Sequence, residues 1–531
     1  MSVRGTALNA AREALRRDQP EDAFAACREA LAADPQNPDA LSLAGVAAFH
    51  AGLAEDALGL LQAAVSFAPE SAEAQTNLGN VLAHMGDTEA AAAAYRQAID
   101  ADPAYAEAFF NFGALMDAVG DPASAIEAFE RVLALSPEHA SARHGLGNAL
   151  KALGRLDAAR AAYETVLTAD PSMTQARTNL AAVLQELGEF EAAADHCRRA
   201  LGIAPQMIEP RYNLGIALQE LGRFEDAIAA YEKVLAGQPG HAAAALNIAY
   251  AQQQLGNLEA AGAAFEQTIA IDPDFAKAHA NLADLKLQQG DPAAALDICE
   301  RFLASHPGNT DLLAFKSIAL VDLGDGAAAR NLVDFERFIR PVQVPTPTGY
   351  DSLDAFNTAL QAHIHAHSTL TYAPQSHATR NGHHTGELLD QQKGPIADLE
   401  IAIRSAVEAY RKDLGVDPDH PFLANPPESL GLSIWGVVMG RAGHQMAHIH
   451  PAAWLSGVYY ACVPEAVGVD EAGWIEFGQP PDHFHNCVNP ETRTIRPEAG
   501  LMVLFPSYFY HHTIPYQTDE PRISIAFDLI P

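Results

Sequence analysis

At 531 residues the chain is too long for one hydrophobic core, and about 100–200 residues per domain gives an expectation of two or three units. A net charge of −34 argues against a nucleic-acid partner, because phosphate binding needs clustered Lys and Arg. There is no run of about 20 apolar residues, Met1–Gln19 has no continuous apolar stretch of a secretory signal, and the five cysteines Cys27, Cys197, Cys299, Cys462 and Cys487 form no CxxC pair; a soluble, cytoplasmic protein without membrane or nucleic-acid partners is expected.

A 34-residue step runs through the first two thirds. Prolines recur at Pro35, Pro69, Pro103, Pro137, Pro171, Pro205, Pro239, Pro273, Pro307 and Pro341, and glycines keep the same step from Gly52 to Gly324. Alanines follow it from Ala57 to Ala295, and an aromatic joins at Tyr95, Phe129, Tyr163, Tyr231 and Phe265, with Cys197 and Cys299 in register. The physical reading is two short helices per repeat. Gly ends the first helix in a left-handed conformation, Pro starts the next unit, and small residues such as Gly79, Gly113, Gly147 and Gly215 admit the aromatic of the second helix.

These positions resemble the tetratricopeptide repeat between Asp39 and Pro307, with the segments before Pro35 and after Asp311 as caps. The resemblance implies nine or ten repeats stacked as an all-α right-handed superhelix with a concave groove for a protein or peptide. Asn77, Asn111, Asn179, Asn213, Asn247 and Asn281 repeat two residues before the small position, although Asn is a mediocre helix former. They resemble the asparagine ladder that holds an extended peptide in the O-linked N-acetylglucosamine transferases. The alternative is that their amides bridge neighbouring repeats.

Periodicity ends at Pro341, so the repeat unit is taken as 1–341 and the Pro-punctuated segment 342–349 as a stiff linker. Apolar spacing predicts helices over Asp351–His367 and Gly394–Leu414 in a helical segment 350–430. His363, His365, His367, His377, His383 and His384 read as surface or loop histidines, and Arg380-Asn381-Gly382 as a turn.

From Gly431 short strand patterns take over, at Leu432–Met439, Leu455–Cys462, Trp474–Phe477, Leu501–Phe505 and Ile523–Leu529, which predicts an antiparallel jelly-roll domain over 431–531. His448 and His450 are two apart and share a strand face, as do Arg522 and Ser524. A closed roll would gather His448, His450 and His511 in its mouth, the layout of a three-ligand Fe(II) site with open positions. Arg522 offers a two-pronged donor for a carboxylate, and Ser524 a hydroxyl beside it. His483 and His485, in a Pro-rich loop, read as a lid or surface feature; Trp454, Trp474 and Tyr459 are candidates to line the entrance, with buried packing the more common fate of such aromatics.

The runs His448-Ile449-His450-Pro451, Ser456-Gly457-Val458-Tyr459-Tyr460, Phe505-Pro506-Ser507 and His511-His512-Thr513-Ile514-Pro515 resemble the bacterial and phage group of 2-oxoglutarate- and Fe(II)-dependent oxygenases, over roughly Leu432–Pro531. The resemblance implies a double-stranded β-helix with His448 and His511 as iron ligands, Arg522 as the 2-oxoglutarate anchor and Tyr460 reaching the same co-substrate. It also implies oxidative decarboxylation of 2-oxoglutarate coupled to hydroxylation of a C–H bond. The departure is His450, where the superfamily usually has Asp or Glu: either His450 is the third ligand or water completes a two-histidine site. The leading reading is a hydroxylase acting on a polypeptide held by the repeats. A repeat scaffold with a degenerate barrel and an oxygenase for a small molecule are the alternatives, and homo-oligomerisation is left open.

Overall fold

The computed structural model describes residues 3–373, 378–390, 392–467, 470–481, 484 and 488–531, and the chain divides into two compact units, Met1–Pro239 and Gly240–Pro531. His377, His483, His485 and Cys487 lie outside the described residues. Among the described residues no helix is long and apolar enough to cross a membrane.

The first unit is a succession of seven helix pairs, from Val3–Arg16 with Pro20–Ala33 to Glu209–Glu220 with Phe224–Gly237. The periodic glycine does what its spacing predicts. At Gly86, φ is +84°, the Gly86 amide donates to Ala83 and the Asp87 amide to Leu82, closing the double bond that ends a helix in left-handed backbone. Asp87 then caps the next helix by accepting from the Ala90 amide, so one residue serves both elements.

The periodic proline has a different place from the one expected. Pro103 follows Asp102, the residue that caps the second helix, and two further residues pass before the next helix opens at Ala106. The proline therefore stops one helix instead of starting another, because its ring cannot continue the ladder. Its carbonyl is used as well: Arg177 donates to Pro171 at 2.6 Å, and Arg143 and Arg211 do the same to Pro137 and Pro205.

Small-against-large packing holds the pairs together. A Cβ added to Gly147 would lie 2.6 Å from the Tyr163 ring, and at Gly79 2.5 Å from Tyr95. Where Ala181 replaces the glycine, Cys197 replaces the aromatic, and both are fully buried, so the volumes compensate. Burial pushes the Cys197 and Cys299 thiols up to about 12, as expected of packing residues rather than reactive ones.

The second unit opens with three more pairs, Ala242–Gln254 with Leu258–Ile271, Ala276–Gln288 with Pro292–Leu303, and Thr310–Asp322 with Gly326–Leu332. Helices Leu353–Ala366 and Ile396–Leu414 then flank two antiparallel sheets. In chain order the strands are β1 Arg340–Gln343, β2 Thr371–Tyr372, β3 Thr379–His384, β4 Gly431–Gln445, β5 Leu455–Cys462, β6 Ile475–Phe477, β7 Arg493–Ile495, β8 Leu501–Pro506, β9 His511–Thr513 and β10 Arg522–Ile530. The larger sheet has the order β1-β8-β5-β10-β4-β3-β2 and the smaller β7-β6-β9, the curled two-sheet arrangement of a jelly-roll-like domain.

Two expectations change here. Val342 and Gln343, read as the start of a free linker, pair with Met502 and Leu501, because the extended backbone that Pro-rich sequence favours also completes an open sheet edge. Arg380-Asn381-Gly382 is a bulge within β3, with Asn381 at φ +53°, so the strand carries on and His383 and His384 belong to it. His363 and His365 lie on the helix Leu353–Ala366, within the helix expected over Asp351–His367.

Gly147→Val is expected to lower repeat stability by about 1–3 kcal/mol through overpacking against Tyr163. Gly202→Ala, where the added atom meets nothing within 4 Å, should be neutral or stabilising. Urea unfolding followed by circular dichroism reads both, and equal midpoints would contradict the packing account.

Candidate metal centre

β4 runs out at Gln445, and the chain continues alongside β9 for one more pair of bonds. His448 and His511 exchange main-chain N–H···O bonds of 3.1 Å in each direction, joining the strand end of one sheet to a strand of the other. Two residues on, the His450 amide donates to the Ser507 carbonyl at 3.0 Å. These bonds set three imidazoles facing one another, with ring centroids 4.3 Å apart for His448 and His511 and 5.1 Å from each to His450.

One ring nitrogen from each histidine lies within 4.8 Å of the other two. The opposite nitrogens are all engaged: Nδ1 of His448 with the Met446 carbonyl at 2.7 Å, Nδ1 of His511 with the Phe509 carbonyl at 3.0 Å, and Nδ1 of His450 with Asp528 Oδ2 at 2.9 Å. An acceptor on Nδ1 holds the proton there and leaves Nε2 as a lone pair, the tautomer a metal requires. Burial, followed by the neighbouring histidines, pushes His511 well below the ordinary imidazole range and His448 down to about 3, so both rings are neutral donors.

The walls are apolar on one side and polar on the other. Phe505 and Phe477 lie 4.6 and 6.1 Å from the His511 ring. On the open side a cavity of about 360 Å³ is lined by His448, His450, Trp435, Ser433, Gln445, Thr379, His384 and Glu387. The Trp435 ring stacks on His450 at 5.9 Å, and His384 donates to or accepts from Thr379 at 2.6 Å. Trp435 was not singled out by sequence reasoning and His384 was read as a surface or loop histidine, since both placements depend on β3 and β4 being neighbours.

Arg522 is 2% exposed, the largest fully buried side chain, and lies opposite Met439 on β4. Its guanidinium carbon sits 5.0 Å from the Tyr460 ring centroid, and among the described residues Nε and Nη1 have no hydrogen-bond partner. Buried donors of this kind are costly unless a ligand satisfies them, and a carboxylate fits both. Ser524, 3% exposed, pairs with Tyr460 across β5 and β10 on the same face of the strand as Arg522.

The two serines of the sequence runs find a use. Ser456 donates to Asp528 Oδ1 at 2.6 Å and shares a 2.8 Å bond with Ser507, so a line of polar groups leads from β8 through β5 to β10 and His450. Gly457 lets the Phe527 ring and the Val503 carbonyl approach the strand where any side chain would collide. Two of the aromatics weighed for the entrance take the buried packing that is the commoner fate of such side chains. Tyr459 is buried with its hydroxyl on Asn357 at 2.5 Å, and Trp454 stacks on Phe422 at 4.7 Å; both are core residues, because period two turns Tyr459 to the face opposite Tyr460.

In the repeats the asparagine amides reach the preceding repeat. Asn111 donates to Asn80 at 2.9 Å, Asn179 to Asn148 at 2.8 Å, Asn281 to the Tyr250 hydroxyl at 2.8 Å and Asn77 to Ser42 at 3.3 Å. Asn80 and Asn148 also accept the hydroxyls of Tyr95 and Tyr163, linking ladder and aromatic in one network. Asn213 is buried, and its carbonyl accepts from Gln185 at 2.6 Å.

Residues 433–528 match a family described as "Putative 2OG-Fe(II) oxygenase". Tetratricopeptide-repeat families match 14–81, 79–120, 118–184, 172–240, 212–276, 248–310 and 280–334. Among solved structures, YrrB, described as a TPR protein with an unusual peptide-binding site, is 26% identical and matches over 35% of this chain and 96% of its own, with a TM-score of 0.32. The Pseudomonas aeruginosa pilF protein is 21% identical over 39% of this chain and 95% of its own, TM-score 0.37. The Thermus thermophilus TPR protein TTC0263 is 23% identical over 34% and 99%, TM-score 0.30. No curated protein sequence matches.

The metal-free protein should lose stability in acid partly through these rings. Above about pH 6.5 a histidine is neutral folded or unfolded; below it the unfolded chain takes up a proton that buried His448 and His511 refuse, at up to about 1.4 kcal/mol per pH unit for each. Stability contributed by the depressed groups is thus present above about pH 6.5 and lost as pH falls towards 3. Calorimetry between pH 7.5 and 5 should show a shallower decline for His448→Gln than for wild type, and parallel declines would show that His448 is not held neutral by the fold.

Proposed function

We propose that this chain, which joins tetratricopeptide repeats to a 2OG-Fe(II) oxygenase domain, is a hydroxylase that uses Fe(II) and 2-oxoglutarate on a polypeptide held by the repeats. The observation that carries the reading is the convergence of three imidazoles whose Nδ1 atoms are all engaged, leaving three Nε2 lone pairs for one ion. His448, His450 and His511 would hold Fe(II), and Arg522, with Ser524 and Tyr460 beside it, would hold the distal carboxylate of 2-oxoglutarate. When bound, these two groups supply oxygen activation and the electrons released by decarboxylation.

The rest is the work of the chain's own residues. Carbonyls and a carboxylate fix the tautomers, Phe477 and Phe505 keep water from the His511 side, and Arg522 gives the co-substrate a desolvated positive anchor. Two buried donors of the guanidinium, Nε and Nη1, are left without partners, which favours a working co-substrate site over a degenerate one. The cavity beside Trp435 and His384 is the candidate space for the substrate group.

Tetratricopeptide repeats generally bind peptides or proteins, which supports a polypeptide substrate. Within Gly240–Pro531 the last helix pair meets the site directly: the Thr310 hydroxyl donates to the Pro451 carbonyl at 2.7 Å, and the Tyr508 hydroxyl to the Leu332 carbonyl at 2.7 Å. A chain bound along these repeats would be delivered at high effective concentration to the barrel. Asn77, Asn111, Asn179, Asn213, Asn247 and Asn281 are proposed to contact its backbone with the hydrogen-bonding capacity not spent on the neighbouring repeat.

Anaerobic titration with Fe(II) and 2-oxoglutarate should give the weak visible charge-transfer band, and oxygen should then release succinate; absence of both would sink the reading. His511→Ala is expected to lose metal by at least 100-fold, whereas Arg522→Ala should keep the metal and raise the 2-oxoglutarate Kd by a similar factor. For the repeats, Asn179, Asn213 and Asn247 changed together to Ala should weaken capture of a bound polypeptide more than tenfold. Unchanged affinity accompanied by a lower melting temperature would make the asparagines bridges between repeats only.

A further inference from the structure

We infer that Asp528 is a positioning residue for the metal, acting through His450, and that it restores one bond away from the ion the negative charge that an Asp or Glu ligand would have supplied. The inference rests on the proposed metal centre and goes beyond it by naming a residue outside the ligand set.

The three histidines are not equivalent. His448 and His511 give their Nδ1–H to main-chain carbonyls two residues back, which are neutral acceptors. His450 alone gives Nδ1–H to a carboxylate, Asp528 Oδ2 at 2.9 Å, with both side chains about 15% exposed. His450 is also the ligand at the position where a carboxylate would be expected, so the exchange of Asp or Glu for His and the presence of a buried carboxylate behind it coincide at the same corner of the site.

Asp528 has few reasons to be there otherwise. It stands in the middle of the large sheet, between Ser433 of β4 and Ser456 of β5, where a carboxylate is costly to desolvate. Among the described residues His450 is its ion-pair partner, and its second oxygen is held by Ser456 at 2.6 Å, itself held by Ser507 at 2.8 Å. An ion on Nε2 makes the opposite N–H a stronger donor, so the Asp528 bond tightens when metal binds and lends the ring basicity. Ser456 and Ser507 aim the carboxylate, and Trp435 stacked on the far face of the ring fixes its plane.

A double-mutant cycle on the full chain tests this, with Co(II) as the probe, read by its visible d–d absorption and by calorimetric Kd under anaerobic conditions. Asp528→Asn, nearly isosteric and still able to accept from Ser456, should weaken Co(II) binding about 10–100-fold in the wild-type background. In the His450→Gln background the same change should alter Kd less than about twofold, because the path to the metal is already cut. Equal losses in both backgrounds, with a parallel drop in melting temperature, would make Asp528 a structural residue and overturn the inference. An unchanged Kd for Asp528→Asn on wild type would overturn it too, with the metal centre intact. If wild type binds no Co(II) and no Fe(II), the metal centre itself falls, which is a different failure.

Discussion

The pair of main-chain bonds between His448 and His511 is the constraint on which the site depends. Through it the segment that continues β4 pairs with β9, which ties the seven-stranded sheet to the three-stranded one. Residues that exchange both bonds across an antiparallel pair have their Cα atoms about 5.5 Å apart, which brings their rings within contact without any side-chain adjustment. His450 follows by period two on the same face, and its amide is fixed on Ser507 of the segment that leads into β9. Three candidate ligands from two segments are thus set by backbone geometry, the kind of preorganisation that keeps ordering entropy out of a binding equilibrium.

From that corner a line of side-chain bonds runs back into the large sheet. Ser507, Ser456 and Asp528 belong to β8's end, β5 and β10, which are adjacent in the sheet, so the line crosses it at right angles to the strands. Buried polar groups of this sort are stabilising only when every member is satisfied, and here each hydroxyl and each carboxylate oxygen has a partner. The runs Ser456-Gly457-Val458-Tyr459-Tyr460 and Phe505-Pro506-Ser507 are then intelligible as one device: serines to hold Asp528, a glycine to admit Phe527, and Tyr460 stacked under Arg522.

What could be read in advance followed from repetition and burial. The helix pairs were legible because each turn repeats the same Gly, and β4, β5, β8 and β10 because sheet strands packed on a core carry dense β-branched and aromatic residues. β3 was not, since Asn381-Gly382 signals a turn with equal force whether the chain reverses or bulges and continues. β9 has three residues, too few for any pattern, and is a strand because β6 and His448 offer it partners. The candidate ligands were legible from the His448–His450 spacing, which the structure gathers with His511. Asp528 was not, because its meaning comes from a residue 78 positions away, and nothing in Phe527-Asp528-Leu529 distinguishes a buried carboxylate from a solvated one. Tyr459 and Trp454 show the converse, where an aromatic near the site in sequence faces away from it in the sheet.

The break in composition at Pro341 is not a break in packing. One continuous apolar core runs from Leu246 through Phe302, Phe315 and Leu332 into Phe338, Trp454, Tyr508 and Leu529. Polar bonds cross the same ground: Thr310 to Pro451, Tyr508 to Leu332, His420 to Asn331. Pro451 immediately follows one ligand, and Tyr508 lies between Ser507 and His511, so the last helix pair touches the short segments that carry all three imidazoles. A displacement of Thr310–Asp322 by less than an ångström would have to be taken up either there or by breaking those bonds, because close-packed interiors transmit strain rather than absorb it. The repeats next to the barrel are in this sense part of the frame of the candidate metal centre.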